Sequence, residues 1–235
     1  MSRSHPQQWS VNPSTVSPDP DALAALASLP TTQIADAGGP VGVVGPGIAP
    51  VTAETEICGR AVTLWTKPGD ILFVLKAPDL IEPGDVLVVD GGGRLDAAII
   101  GDILGGLAQA RGAVGLVVDG AVRDVVDLRA LGLPTFARGV HPATASKEGP
   151  GALNVPIQCG GVVVEPGDVV RADASGVVII PRESAADVVE RTRAVDANER
   201  HWRQVIDGGG SLTAELGIDE QIARFSREPE GPPAP

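Results

Sequence analysis

The stretch AAIIGDILGGLAQARGAVGLVVDGAVRDVVDLRALGLPTFAR, residues 97 to 138, decides the fold expected for this chain. Its apolar runs AAII, AVGLVVDG and LPTFAR are typical of strands that are covered on both faces. The segments DILGGLAQAR and DVVDLRAL between them fit helices. The alternation of strands and helices predicts parallel βαβ units, and the expected fold class is therefore α/β.

Both strand-to-helix junctions of this stretch carry residues suited to chemistry. Gly101 and Asp102 open the first helix, and Arg123 and Asp124 precede the second. Parallel strands end at one edge of the sheet, where α/β proteins usually bind ligands, so the two junctions should be neighbours. The amides from Gly101 to Leu104 lack intrahelical acceptors and can hold a carboxylate or a phosphate.

The side chains at the two junctions allow both a functional and a structural interpretation. Arg123 offers a fork of donors suited to a carboxylate, and Asp124 offers hard oxygens suited to Mg²⁺ or Mn²⁺. Alternatively, Asp102 caps its helix, while Arg123 and Asp124 form an ion pair and a second helix cap. The residues alone leave both interpretations open.

Composition excludes several classes of protein. The chain has 235 residues and a net charge of −12, which is unlike a nucleic-acid-binding surface. It has no apolar run long enough to cross a membrane and no apolar leader at its N-terminus, so a soluble cytoplasmic protein is expected. Cys58 and Cys159 have no metal or redox spacing and are expected to be buried thiols.

The rest of the chain predicts one domain, at residues 19 to 226, with terminal helices. Residues 1 to 18 are expected to form a flexible arm and residues 227 to 235 a disordered tail. Asp19 and Pro20 can begin a first helix, and a last helix is expected from Arg182 onward. The signature EPGDV occurs twice and predicts two matching turns at strand entries or hairpins. Further predicted elements are the strands ICGRAVTLWT, DVLVVDG, GGVVVEPGD and GVVIIP and the helical segment GDILFVLKAPDL.

Other catalytic motifs are weak or absent in the sequence. No glycine fingerprint for a phosphate loop or a dinucleotide is present, and no G-x-S-x-G elbow occurs. His141 precedes a proline in a glycine-rich loop, which favours a turn. Lys67 and Lys147 are expected in loops, so a desolvated Schiff-base lysine lacks support.

Three motifs, in order, resemble the RraA-like proteins. They are GDVLVVDGGG, GDILGGLAQARGAVGLVVDGAVRDVVDLRALGLPTFARGVHP and GGVVVEPGDVVRADASGVVIIP. The resemblance covers about residues 30 to 182. This family includes the class II 4-hydroxy-4-methyl-2-oxoglutarate/4-carboxy-4-hydroxy-2-oxoadipate aldolases. This chain resembles them in one motif, an Asp that is separated by twenty residues from an Arg-Asp pair. That spacing falls on Asp102, Arg123 and Asp124.

The resemblance implies a role for each junction residue. The 2-oxo acid would be bound by Arg123 and by the amides of Gly101, Asp102, Ile103 and Leu104. Asp102 would orient a water molecule for proton transfer. Asp124 would anchor a divalent metal, Mg²⁺ or Mn²⁺, largely through the water molecules bound to the metal. The implied fold is a swivelling β/β/α-like domain in a homotrimer or hexamer. A neighbouring subunit contributes an acidic residue there, for which Asp36 and Glu199 are the candidates in this chain.

The function that the resemblance implies is a divalent-metal-dependent lyase. It would cleave 4-hydroxy-2-oxo acids to pyruvate through a metal-stabilised enolate, with oxaloacetate decarboxylation as a side activity. The expected binding partner is a small 2-oxo acid substrate, and no binding to nucleic acid or to membranes is expected. The alternative is a non-catalytic, protein-binding regulator of the ribonuclease E inhibitor type.

Overall fold

The computed structural model describes residues 9–13, 16–53 and 55–226. The strands in this part of the chain are β1 (Ser10–Val11), β2 (Gly42–Val43), β3 (Ala49–Pro50), β4 (Ile57–Thr66), β5 (Asp85–Asp90), β6 (Ala98–Ile100), β7 (Gly115–Val122), β8 (Thr135–Val140), β9 (Gly151–Leu153), β10 (Ile157–Cys159), β11 (Val162–Val164), β12 (Val169–Asp173) and β13 (Gly176–Ile180). The α-helices are α1 (Pro20–Leu26), α2 (Thr31–Asp36), α3 (Leu72–Lys76), α4 (Asp102–Ala110), α5 (Val125–Leu131), α6 (Ala185–Asp207), α7 (Leu212–Glu215) and α8 (Ile218–Phe225).

One mixed sheet organises the described part of the chain. Its main path is β2-β13-β12-β4-β5-β7-β8-β3, with β6 paired to β7, β9 to β4 and β1 to β9. Strands β4, β5, β7 and β8 are parallel, whereas both ends of the path are antiparallel. Strands β10 and β11 form a separate hairpin. The expected α/β fold class is confirmed, as is the βαβαβ order from β6 to β8.

The sheet is covered on both faces, which explains the continuous apolar runs of its central strands. Leu87 and Val89 of β5 pack into a core with Leu128 of α5, whereas Val86 and Val88 pack on the opposite face, with Phe136. This alternation follows from the two-residue period of a strand. Burying a Val or Leu side chain completely stabilises the folded state by roughly 1.5–3 kcal/mol relative to leaving it exposed, so the residues on both faces stabilise the sheet.

Strand β7 has two successive partners on one side, and this places the two junctions together. Its first half, Gly115–Asp119, pairs with β5, which ends at Asp90. Its second half pairs with β6, with Ala98 opposite Ala121 and Ile100 opposite Val122. Strands β6 and β7 therefore end side by side at the same edge of the sheet.

Helices α4 and α5 lie close together behind this edge. A Cβ atom at Gly105 would come within 2.7 Å of Leu128 Cδ2, so a larger residue at this position would push α5 away. The Gln109 side chain donates a hydrogen bond of 2.9 Å to the Leu131 carbonyl oxygen. The glycine therefore allows the two helices to begin next to each other.

The two EPGD segments form matching turns, as predicted from their sequence. The Asp85 amide donates to the Glu82 carbonyl oxygen and the Asp168 amide to that of Glu165, both at 3.1 Å. In each turn the Asp carboxylate also accepts a hydrogen bond from the amide of the Glu, at 2.8 Å. The third residues of the two turns, Gly84 and Gly167, have φ angles of 94° and 93°, and a type II turn requires a positive φ at this position. These turns lead into β5 and β12.

Three parts of the fold differ from the sequence-based expectations. Residues Ser10–Val11 of the expected flexible arm form β1 and pair with β9, and the Trp9 ring packs edge-on against Phe73, with centroids 5.9 Å apart. Residues 1 to 8, 14 and 15 of that arm lie outside the described residues. The helical segment expected at 69 to 80 is a short α3 followed by a 3₁₀ turn, because Pro78 cannot continue an α-helix. The short strands β2, β3, β9 and β10 carry no pattern that predicts them.

The chain divides into two compact units, Met1–Thr192 and Arg193–Pro235. The first contains the sheet, and the second contains the C-terminal part of α6 with α7 and α8. The expected last helix is α6, preceded by a 3₁₀ turn at Arg182–Ser184. The domain range of 19 to 226 stays a prediction, and the expected tail at 227 to 235 lies outside the described residues.

Candidate active site

The two junctions meet at the carboxyl edge of the sheet, as their sequence positions predict. The Arg123 amide donates a hydrogen bond of 2.9 Å to the Ile100 carbonyl oxygen. This bond continues the β6–β7 pairing one residue beyond the strands. Gly101 and Arg123 are therefore held next to each other by the backbone.

The first turn of α4 leaves its amides without intrahelical partners. The first i to i−4 bond of the helix runs from the Gly105 amide to the Gly101 carbonyl oxygen, at 2.9 Å, so the amides of Asp102, Ile103 and Leu104 precede it. Gly101 is the N-cap residue, and no side chain caps this helix. The interpretation of Asp102 as a helix cap is therefore wrong. Its half-buried carboxylate forms no hydrogen bond or ion pair with the described residues.

Asp124 adopts a backbone conformation that is uncommon for a residue other than glycine. Its φ of 52° and ψ of 43° lie in the left-handed region, which Asp and Asn tolerate better than other side chains. Asp124 occupies the N-cap position of α5, yet its carboxylate makes no capping hydrogen bond. Such a conformation costs free energy, and residues that hold it are enriched at functional sites.

The structural interpretation of Arg123 and Asp124 is thus confirmed for the ion pair and wrong for the helix cap. Their side chains do form an ion pair, with 3.2 Å between Nε and Oδ2, and both are more than a third exposed. The expected helix cap does not form. An ion pair this exposed contributes little to stability, so it does not by itself account for the strained backbone.

Gly101 lets this ion pair lie directly against the backbone of the first junction. A Cβ atom at position 101 would overlap Asp124 Oδ2 and come within 3.1 Å of Arg123 Cγ. The backbone angles of Gly101 are extended and open to any residue. Glycine is therefore required at position 101 because a Cβ atom would occupy the space that the Arg123 and Asp124 side chains fill, and not because of the backbone conformation.

A cleft of about 230 Å³ opens at this edge of the sheet. Its size suits a small ligand, since clefts for drug-sized molecules begin at about 300 Å³. The residues that line it include all six predicted at the junctions, namely Gly101, Asp102, Ile103, Leu104, Arg123 and Asp124. The structure brings these residues into one cavity; their chemical roles stay predictions.

Seven further residues line the cleft that were not predicted as site residues: Ala98, Ile99 and Ile100 form β6, and four side chains come from elsewhere in the chain. Ile71 and Leu75 come from the start and body of α3, and Thr144 and Lys147 come from the loop between β8 and β9. No local sequence signal selects these four side chains, because their positions depend on Asp70, which is fully buried and accepts a hydrogen bond from the Ser146 hydroxyl of the loop. A buried carboxylate requires hydrogen-bond donors, but the sequence does not say which ones.

The two candidates for a neighbouring subunit's acidic residue lie elsewhere in the chain. Asp36 is exposed at the end of α2, which packs on β12 and β13. Glu199 belongs to the second unit, where its carboxylate pairs with Arg203 at 2.9 Å. Neither lines the cleft within one chain, so their role at a subunit boundary stays a prediction.

The remaining candidates are structural. His141 Nδ1 accepts a hydrogen bond of 3.2 Å from the Ala143 amide and so stabilises the expected turn. Both thiols are free. Burial raises the pKa of Cys58 to about 11, outweighing the opposite effect of Arg171, and burial raises that of Cys159 well above its usual range. Cys159 is buried as expected, whereas Cys58 is partly exposed.

The described residues also limit what the protein can bind. Among them, no group of three or more His, Cys, Asp or Glu side chains is arranged to hold a metal ion. A cation in the cleft would have to complete its coordination with water or ligand oxygens. No helix within the described ranges is long and apolar enough to span a membrane.

Known proteins of the same fold have closely similar structures. An uncharacterized protein from Pseudomonas syringae pv. tomato is 31% identical, with a TM-score of 0.74 over 85% of this chain and 98% of its own. Streptomyces coelicolor RraAS2, described as an unusual member of the RNase ES inhibitor RraA protein family, is also 31% identical. Its TM-score is 0.71, over 80% of this chain and 98% of its own. The sheet and its helices therefore form an RraA-type α/β fold.

The sequence matches the RraA-like family, described as Aldolase/RraA, over residues 31 to 179. A Halalkalibacterium halodurans protein with the provisional name 4-hydroxy-4-methyl-2-oxoglutarate aldolase is 39% identical over 197 residues. The match covers 83% of this chain and 94% of that protein. This chain belongs to the RraA-like family.

Proposed function

We propose that this protein is a divalent-metal-dependent lyase that cleaves 4-hydroxy-2-oxo acids to pyruvate and decarboxylates oxaloacetate as a side activity. The observation that carries the proposal is the single cleft that joins free helix amides, Arg123 and the carboxylates of Asp102 and Asp124. The name of the Halalkalibacterium halodurans relative supports the same reaction class.

The cationic and amide groups bind the 2-oxo acid end of the substrate. The Arg123 guanidinium provides several donors in one plane, which suits a carboxylate. The amides of Asp102, Ile103 and Leu104 add donors and the positive end of the α4 dipole. Together they fix the orientation of the substrate before the bond breaks.

Asp124 and Asp102 supply the anionic groups of the site. Mg²⁺ and Mn²⁺ are held in proteins by one or two carboxylates together with water and substrate oxygens, and this donor set fits Asp124 with Asp102 nearby in the same cleft. The ion, when bound, acts as a Lewis acid that stabilises negative charge on the keto oxygen of the substrate.

The bond changes balance without any redox cofactor. A base takes the proton of the C4 hydroxyl group, the C3–C4 bond breaks, and its electron pair forms the enolate of pyruvate while C4 becomes a carbonyl carbon. C3 then takes up a proton. No histidine in the described part of the chain lines the cleft, so Asp102 orients a water molecule that removes and returns the proton. Oxaloacetate loses CO₂ to give the same enolate.

A protein-binding regulator is the second candidate function. The similarity to Streptomyces coelicolor RraAS2 favours it, because that protein is described as belonging to an RNase inhibitor family. Such a role does not require Asp124 to hold a strained conformation against the cleft. Release of pyruvate by the purified protein separates the two functions.

Removal of divalent metal is expected to abolish the lyase activity. The cleft offers oxygen donors, which hold Mg²⁺ and Mn²⁺ loosely enough for excess EDTA to remove them. Pyruvate release should fall to background with EDTA and return when Mg²⁺ or Mn²⁺ is added in excess of the chelator. Full activity in EDTA would contradict the metal requirement, and the absence of pyruvate with every 4-hydroxy-2-oxo acid tested would contradict the lyase function.

A homotrimer or hexamer is the expected assembly. Ile103 and Val126, which lie in the first turns of α4 and α5 beside the cleft, are each 77% exposed, and Leu107 adds to the apolar surface of α4. A partner chain that covers these side chains would remove apolar surface from water. Light scattering should give three or six times the mass of one chain, and a monomer with full activity would rule out any role for Asp36 or Glu199 from a neighbour.

A further inference from the structure

Lys147 places a second cation in the cleft. It lies in the loop between β8 and β9 and lines the same cavity as Arg123 and Asp124. The Arg123 guanidinium already pairs with Asp124, whereas the Lys147 ammonium group has no ion-pair or hydrogen-bond partner among the residues described. This lysine is therefore available to bind an anionic group of a ligand.

The backbone on both sides of Lys147 is fixed to the start of α3. The Ile71 amide donates to the Ser146 carbonyl oxygen at 2.8 Å, and the Ser146 amide donates to the Gly69 carbonyl oxygen at 2.9 Å. Asp70 Oδ2 accepts hydrogen bonds from the Ser146 hydroxyl, at 2.6 Å, and from the Glu148 amide, at 2.7 Å. Residues 146 and 148 are thus both tied down, and Lys147 lies between them.

Asp70 is suited to hold this loop because its carboxyl group remains ionised. Burial by itself would raise the pKa of Asp70, but the hydrogen bonds from Ser146, Glu148, Leu72 and Gly149 outweigh burial and lower the pKa below its usual range. Hydrogen bonds to a carboxylate are stronger than those to a neutral acceptor. The loop is therefore anchored at its base, while the long Lys147 side chain can still adjust to a ligand.

We propose that Lys147 determines substrate choice by binding a second carboxylate, carried on C4 of the 4-hydroxy-2-oxo acid. The proposal rests on the lyase function proposed above and adds a residue to it. Arg123 and the α4 amides hold the 2-oxo acid end, and Lys147 is the other positively charged side chain among the described residues that line the cleft. A lysine acts as a compact point charge on a flexible stem, which suits a carboxylate at a variable distance.

The same position does not suit Lys147 to form a Schiff base. Lysines that attack carbonyl groups are activated by desolvation or by an adjacent cation. Lys147 is exposed to solvent at the edge of the cleft. It acts through its charge, and no covalent bond to the substrate forms.

The test compares two substrates in three variants. One substrate is a 4-hydroxy-2-oxo acid with a carboxylate on C4, and the other has a methyl group in its place. In Lys147→Ala, the ratio of kcat/KM for the first over the second should fall about ten- to a hundredfold, mainly through KM, because a charged hydrogen bond is lost. Lys147→Arg should restore part of the ratio. Lys67→Ala, which removes an exposed loop lysine that does not line the cleft, should leave the ratio unchanged.

The outcomes separate this inference from the lyase function. If the wild-type protein cleaves neither substrate, the lyase function fails and the inference falls with it. If the wild type cleaves them but Lys147→Ala keeps the wild-type ratio with an unchanged circular dichroism spectrum, the inference alone is overturned. Borohydride reduction in the presence of pyruvate should leave the mass of the chain unchanged, and a pyruvyl adduct on Lys147 would overturn the charge role.

Discussion

Replacing Asp124 by asparagine is expected to remove lyase turnover and to leave the fold intact. Asparagine has the same shape and tolerates the left-handed conformation of residue 124, so the backbone should not change. It lacks the negative charge that is proposed to hold the divalent ion. Loss of one strong electrostatic contact at a reaction centre typically costs about 10²–10³ in kcat, so kcat/KM should fall by roughly a thousandfold.

The matched control for this variant is Asp127→Asn. Asp127 is an exposed carboxylate in the first turn of α5 that does not line the cleft. Both variants should unfold at temperatures close to that of the wild type. Asp127→Asn should keep its activity, and calorimetry should show weaker Mn²⁺ binding for Asp124→Asn alone. Near-normal pyruvate release by Asp124→Asn would mean that Asp124 has no catalytic function.

Asparagine is a better probe than alanine at this position. An alanine at residue 124 would have to adopt φ near 52°, which costs roughly 1–2 kcal/mol for a side chain that cannot hydrogen-bond locally. Lost activity in Asp124→Ala would therefore mix a change of backbone with the loss of charge. Asparagine separates the two effects.

The second large effect is expected from Gly101→Ala. The added Cβ would overlap the Asp124 carboxylate and crowd Arg123, so both side chains must move from their present positions. The backbone of residue 101 is extended and accepts alanine, and both displaced side chains are partly exposed. The free energy of unfolding should therefore change by no more than about 1 kcal/mol, whereas kcat/KM should fall at least a hundredfold, as expected for misplaced catalytic groups.

Gly106→Ala provides the control within the same helix. A Cβ at residue 106 would meet the Leu131 side chain at an ordinary contact distance of 3.7 Å. Alanine is favoured over glycine inside a helix by roughly 0.5–1 kcal/mol, so this variant should be as stable as the wild type or more so and fully active. If Gly101→Ala were as active as Gly106→Ala, the position of the Arg123–Asp124 pair would not matter for turnover.

The grouping of the junction residues could be predicted because it depends on local patterns. The strands β6 and β7 are apolar runs, each followed by a helix, and parallel strands joined by helices end at the same edge of the sheet. This rule brings Gly101 and Arg123 together without any knowledge of the rest of the fold. The two EPGD turns were predictable for the same reason, since proline and glycine determine their type locally.

Whether Asp102 and Asp124 cap their helices could not be decided from the sequence. An aspartate at either position is compatible with capping. The structure decides against it, because the N-cap of α4 is Gly101 and the left-handed backbone of Asp124 leaves its carboxylate beside Arg123. That outcome depends on how the two junctions pack against each other.

The sequence by itself determined the α/β class, the order of strands and helices around β7, and the six residues that meet at its carboxyl end. The periodicity of apolar residues and the chemistry of turns act over a few positions, so they can be read locally. Only the tertiary structure decided that β1 and β9 join the sheet and that Lys147 reaches the cleft. These features depend on partners far apart in the chain, such as Asp70 and Ser146, which are 76 residues apart, and no local pattern specifies such a pair.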